Sequence, residues 1–267
     1  MSSVRVLLRH HVRLHRMPLV PLAAGLAVFE WIMTFVARQP TVSRFLTSAL
    51  RAAPPEFLSL LNPDLVAGVS AQGIIGVGYA HPFALLMMAV VAVRVPSAAL
   101  AGEIGRRTMD LMAARPVLRA AHVAAALVAM LAGLAILAVA AYAGTLIGLA
   151  VGPVEGVSAL RYAPVAFQLW LTFACWGCVG LAASALCREA GQAIAWTSGL
   201  MAGSYVLDYA ARVWTPLAPV RPLSLFRYYE PQRVVTGGLA LHDVSVLAAV
   251  GAAALLVAFA AFLRRDL

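Results

Sequence analysis

Few residues in this chain carry the chemistry of a catalytic site. Cys175-Trp176-Gly177-Cys178 is a C-x-x-C whose sulfurs fall near one helix face. Redox motifs of this form need an exposed helix N-terminus, and a soft-metal site needs more ligands. The surrounding run is apolar, so both cysteines are expected as small core residues. Glu30 interrupts an apolar run, where a bare charge is costly and often functional. It is expected to line a translocation path, to pair with an arginine, or to stay neutral. His81 precedes Pro82 and marks a polar kink before it marks a ligand, though it too is a candidate for such a path. Asp208 is placed to pair with Arg212, one helical turn on. There is no H-E-x-x-H, no matched carboxylate pair within an apolar run and no nucleophile with a nearby base. With no lysine anywhere, the chain has no Gly-x-x-x-x-Gly-Lys-Ser/Thr phosphate loop. No catalysis, metal or cofactor is expected in this chain.

The elements that would position these residues are membrane helices. Of the 267 residues, 63% are hydrophobic and 12% charged, against about 45–50% and about 25% in soluble domains. A helix needs about 20 mostly apolar residues to cross a hydrocarbon core of about 30 Å. Six stretches qualify, near 17–37, 70–94, 118–148, 163–186, 190–210 and 244–263. Lipid offers the backbone no partners, and no alternating barrel pattern is present, so the spans must be helices. The sequence therefore predicts an all-α integral membrane protein with six transmembrane helices in one domain, 1–267. The first apolar run is too long for a signal peptide and is expected to be a retained span.

Arginine placement orients the bundle. Arg5, Arg9, Arg13 and Arg16 precede span one, Arg106, Arg107, Arg115 and Arg119 lie between spans two and three, Arg188 follows span four, and Arg264 and Arg265 follow span six. These eleven fall on one side, against eight on the other, and they cluster at span ends, where the positive-inside rule weighs them most. Both termini are predicted to be cytoplasmic. The basic rim suits anionic lipid head groups, and no soluble basic face exists to hold nucleic acid. Of the two longer outer segments, the first, 38–66, contains a candidate surface helix at Glu56–Leu61. The second, 208–243, offers Trp214, Tyr228 and Tyr229 as interfacial anchors. The spacing Gly144-x-x-x-Gly148-x-x-x-Gly152 permits close helix approach, but carries little information in so alanine-rich a chain.

The most informative stretch is 101–119. It reads as a short helix between breakers. Gly105 permits a turn, Thr108 can cap the amides that follow, and Asp110 suits the positive helix end. Arg115 suits the negative end, and Pro116 stops the helix and can open span three. Leu111 and Met112 would be exposed apolar residues at its tip, a pattern that suggests a docking surface.

The pattern Glu103-x-Gly105-x-x-x-Met109-Asp110-Leu111-x-x-Ala114-Arg115-Pro116-Val117-x-Arg119 resembles the signature of permease subunits of type-2 ATP-binding-cassette (ABC) exporters. Arg106 and Arg107 displace Thr108 from its usual place there. Ser224-Leu225-Phe226-Arg227-Tyr228-Tyr229-Glu230-Pro231 resembles the family's stretch before the last span, with Leu225 for the usual proline. Phe262-Leu263-Arg264-Arg265-Asp266-Leu267 resembles its terminus. The likeness extends over length, span count and loop sizes.

The resemblance implies a type-2 ABC exporter permease fold in a bacterial cytoplasmic membrane. Two permease chains, as a homodimer, would sit above two copies of a separate ATPase subunit holding ATP and magnesium. Residues 101–117 would be the coupling helix. Glu103, Gly105, Arg106, Arg107, Thr108, Asp110, Leu111, Met112, Arg115, Pro116 and Arg119 would meet the ATPase. The basic N-terminal stretch would be an amphipathic helix at the inner surface. An ATP-independent secondary transporter, or an accessory membrane subunit, is the alternative.

Overall fold

The architecture is that of a computed structural model, which describes residues 3–52, 70–106 and 119–265. It is all-α among those residues. Helix α1 is Ser3–Ala37, α2 is Pro40–Ala52, α3 is Ala71–Ala80, α4 is Pro82–Ala99 and α5 is Ala101–Gly105. They are followed by α6 at Arg119–Val151, α7 at Ala163–Leu186, α8 at Ala190–Val213, α9 at Pro231–Gly237 and α10 at Leu241–Leu263. Short 3-10 segments at Ala159–Tyr162, Thr215–Leu223 and Leu225–Tyr228 fill the connections.

Five stretches are long and apolar enough to cross a membrane: Leu19–Ala37, Ala71–Ala99, Ala120–Val151, Ala159–Leu186 and Leu241–Leu263. The chain is thus a multi-pass membrane protein. The expected fifth span, 190–210, is helical within α8, which has 24 residues, but it is not among those five. Gln192, Thr197, Ser198, Ser204 and three glycines dilute its apolar character. The N-terminal stretch runs into span one without a break. At about 1.5 Å per residue, the 35 residues of α1 reach about 50 Å, well beyond a hydrocarbon core.

Span two is broken. Ser70 caps α3, accepting from the Gly73 amide at 3.0 Å. The helix ends at Ala80, His81 is extended, and Pro82 starts α4, where its missing N–H costs nothing. His81 Nδ1 accepts from the Phe83 amide at 3.2 Å, satisfying one orphan donor of α4. Its ring lies 5.0 Å from that of Phe29. The polar kink expected at His81 is a capped helix break.

Apolar attraction does not hold helices together in lipid, so close packing must. The glycine run of α6 supplies it against α1. A Cβ at Gly144 would lie 2.9 Å from Ala27 Cα, and one at Gly148 would lie 2.8 Å from Thr34 Cβ. The spacing that the sequence left uninformative is therefore the seam between α1 and α6. The same spacing at Gly199 and Gly203 of α8 faces open space. Helix α7 runs through the core, where Gly251 of α10 packs on Cys175 Cα and Gly180 on Ala92 O. Cys175 and Cys178 are buried free thiols in that packing. Large apolar side chains such as Val28, Phe35, Leu86, Val139, Ile147 and Leu256 point outward, the normal face toward lipid.

Candidate functional site

Three clusters of polar side chains stand out from the apolar bundle, and the first lies where the motif leaves span two. Helix α5 packs under α4, α7 and α8. The Ala101 amide donates to Ser184 Oγ at 2.9 Å, and Ser184 Oγ in turn approaches Ser97 O at 3.4 Å. Glu103 is buried rather than solvated, and pairs with Arg106 at 2.8 Å. A Cβ at Gly105 would lie 3.4 Å from Arg188 O, so the loop after α7 sits on this turn. The base of the motif is thus fixed to three helices at once. Arg107, Thr108, Asp110, Leu111, Met112, Arg115 and Pro116 lie outside the described residues, and of Arg119 only the backbone is described, at the start of α6.

The second cluster surrounds Glu30. The side chain is fully buried on the α1 face toward α3, and neither carboxyl oxygen has a hydrogen-bond partner. A Cβ at Gly78 would come within 2.6 Å of Glu30 Oε2, so only glycine leaves room for the carboxyl. Three tyrosines hold the surroundings rigid. Tyr79 O–H and Thr145 Oγ1 are 2.9 Å apart, Tyr162 donates to Gln72 O at 2.8 Å, and Tyr229 donates to Tyr79 O at 2.9 Å. Burial, and secondarily the Glu30 charge, pushes the Tyr229 phenol well above its usual range. Tyr229 is buried, so it is a core strut and not the interfacial anchor the sequence suggested. Trp214 is 60% exposed. Arg38, two turns beyond Glu30, reaches across to α6 and donates to Gly148 O at 2.8 Å. Glu30 therefore has no arginine partner among the described residues, and His81 serves the helix break instead of joining it.

The third cluster closes the far end of the bundle and was not anticipated as a unit. Asp208 accepts from Arg212 at 2.8 Å, the expected pairing, and also from Arg221 at 2.9 Å. Arg221 bridges onward to Glu230 at 3.0 Å, which also receives Arg227 at 2.8 Å and Arg233 at 3.3 Å. Arg233 ends the chain of contacts on Asp243, in the first turn of α10. The three carboxylates are buried and the arginines partly so. Charges this close and this dry are firmly held only as a complete set. The network ties α8, the 3-10 segments Thr215–Leu223 and Leu225–Tyr228, α9 and α10 into one cap. Ser224 adds to it, donating to Ser204 O at 2.6 Å and capping the Phe226 amide at 3.2 Å. The signal in the sequence was the interleaving of four arginines with three acids between 208 and 243. Pairing across such distances could not be read from spacing alone.

Among the described residues, no three His, Cys, Asp or Glu side chains gather as metal ligands. No protein-family model and no curated protein matches the chain.

Proposed function

We propose that this chain is the membrane-spanning permease subunit of a type-2 ABC exporter, moving a substrate across the cytoplasmic membrane with ATP hydrolysed by a separate subunit. In this reading α8 is a sixth span, with its polar residues facing the bundle or a second permease chain. Both termini and residues 101–119 lie in the cytoplasm, and two ATPase subunits bind there. The observation that carries the reading is the motif from Glu103 to Arg119, whose base is pinned to α4, α7 and α8 through Ala101, Ser184 and Gly105. A push on a segment so anchored would reach three helices together, as a coupling element must. ATP and magnesium belong to the partner, since the chain has no lysine for a phosphate loop.

The test is a pull-down of the tagged chain in mild detergent, with ATPase activity assayed on the eluate. An ATPase subunit should co-elute with the wild type and be lost in the Leu111→Asp, Met112→Asp double variant. Absence of any ATPase from both would overturn the exporter reading. One observation favours the rival, an ATP-independent secondary transporter: span two is a discontinuous helix beside an unpaired buried carboxyl. Transport in inverted vesicles that persists without ATP would establish that alternative.

A further inference from the structure

A long apolar groove runs along the outside of the bundle between α4 and α8, with a volume of about 790 Å³. Phe173 and Phe226 form its floor, Leu86 and Val90 one wall, and Ile194 and Ala202 the other. Leu86, 59% exposed, stands at the rim, so the groove opens sideways to the surroundings of the helices. One charged side chain lines it, Arg94, which is exposed and makes no hydrogen bond or ion pair among the described residues. Arg38, just past the end of α1, by contrast donates to Gly148 O.

The dimensions limit what fits. From Pro82 at one end to Arg94 at the other, α4 rises about 18 Å at 1.5 Å per residue. Half of a hydrocarbon core is about 15 Å. The groove is one leaflet long, it is apolar along that length, and its cation sits at the end where α4 runs on toward residues 101–119. Arginine binds phosphate and carboxylate with two parallel hydrogen bonds, and a lone arginine beside lipid is left with its charge uncompensated. We propose that the groove is a binding site for a single anionic phospholipid of the leaflet on the side of residues 101–119, its acyl chain between α4 and α8 and its phosphate on Arg94. This inference rests on the proposed placement of α8 in the membrane, and does not need the ATPase partner.

The full chain, in nanodiscs of zwitterionic phosphatidylcholine, would be offered trace phosphatidylglycerol carrying a photoactivatable acyl chain, and separately the matching phosphatidylcholine probe. Cross-linked peptides would be mapped. The anionic probe should label α4 and α8 about fivefold more than the zwitterionic one, the effect of one arginine near an anionic membrane surface. Arg94→Gln should abolish that preference. Ala202→Trp, which fills the groove and leaves Arg94 in place, should abolish labelling of both helices by either probe. Thermal melts equal to wild type would show that both variants fold. Equal labelling by the two probes in the wild type overturns the proposal, as does labelling that survives Ala202→Trp. Loss of the ATPase in the pull-down above would leave this result unchanged, so the two failures are separable.

Discussion

Replacing Gly144 by alanine should loosen α1 from the bundle. The new Cβ would stand 2.9 Å from Ala27 Cα and 2.8 Å from its carbonyl carbon. Carbon atoms prefer about 3.5–4.0 Å, so the two helices must part by roughly 1 Å. The obstructing atoms are backbone, and no rotamer change can relieve them. A gap of that size forfeits a quarter to a half of each dispersion contact along the seam, and overpacking of this kind costs about 1–3 kcal/mol. For a chain of this length that is a fall in Tm of roughly 2–4 °C per kcal/mol, read by a thermal melt in detergent. Alanine is intrinsically the better helix former by about 1 kcal/mol, so the comparison needs an internal control. Gly203→Ala is that control: it has the same substitution and the same four-residue spacing, but nothing lies within 4 Å of its Cβ. It should leave Tm unchanged or raise it slightly. Equal melts for Gly144→Ala and Gly203→Ala would refute the reasoning, because the seam between α1 and α6 would then not be close-packed as described.

Two further substitutions probe the polar clusters. Glu230→Ala removes the acceptor shared by Arg221, Arg227 and Arg233; breaking a buried ion network should cost about 3 kcal/mol, seen as a lower melting temperature and faster proteolysis between Trp214 and Leu241. Glu30→Met replaces a buried carboxyl without partners by an apolar side chain of similar length; it should raise stability by about 1–3 kcal/mol while transport falls, and a lower melt would mean that the carboxyl has a stabilising role in the folded chain.

Much of the architecture follows from composition and runs of apolar residues. The positions of α6, α7 and α10 were legible because lipid forces every spanning backbone to bond to itself. His81-Pro82 announced its break, since proline constrains the residue before it. Asp208 and Arg212 were legible as a pair because they are one turn apart on one helix. The outer ion network was not, since Asp208, Arg221, Glu230 and Asp243 are linked only when five separate elements are folded together. Tyr229 looked like an interfacial ring, because sequence cannot tell an aromatic at the bilayer edge from one turned inward onto Tyr79.

By itself, then, the sequence determined an all-helical membrane chain with most of its arginines outside the apolar runs, because that follows from the solvation of the backbone and of arginine. Only the tertiary structure decided which of two equivalent glycine runs forms a seam. Gly144 and Gly148 lie under α1, while Gly199 and Gly203 face open space. The local sequence pattern is the same, and the difference is whether another backbone arrives to use it.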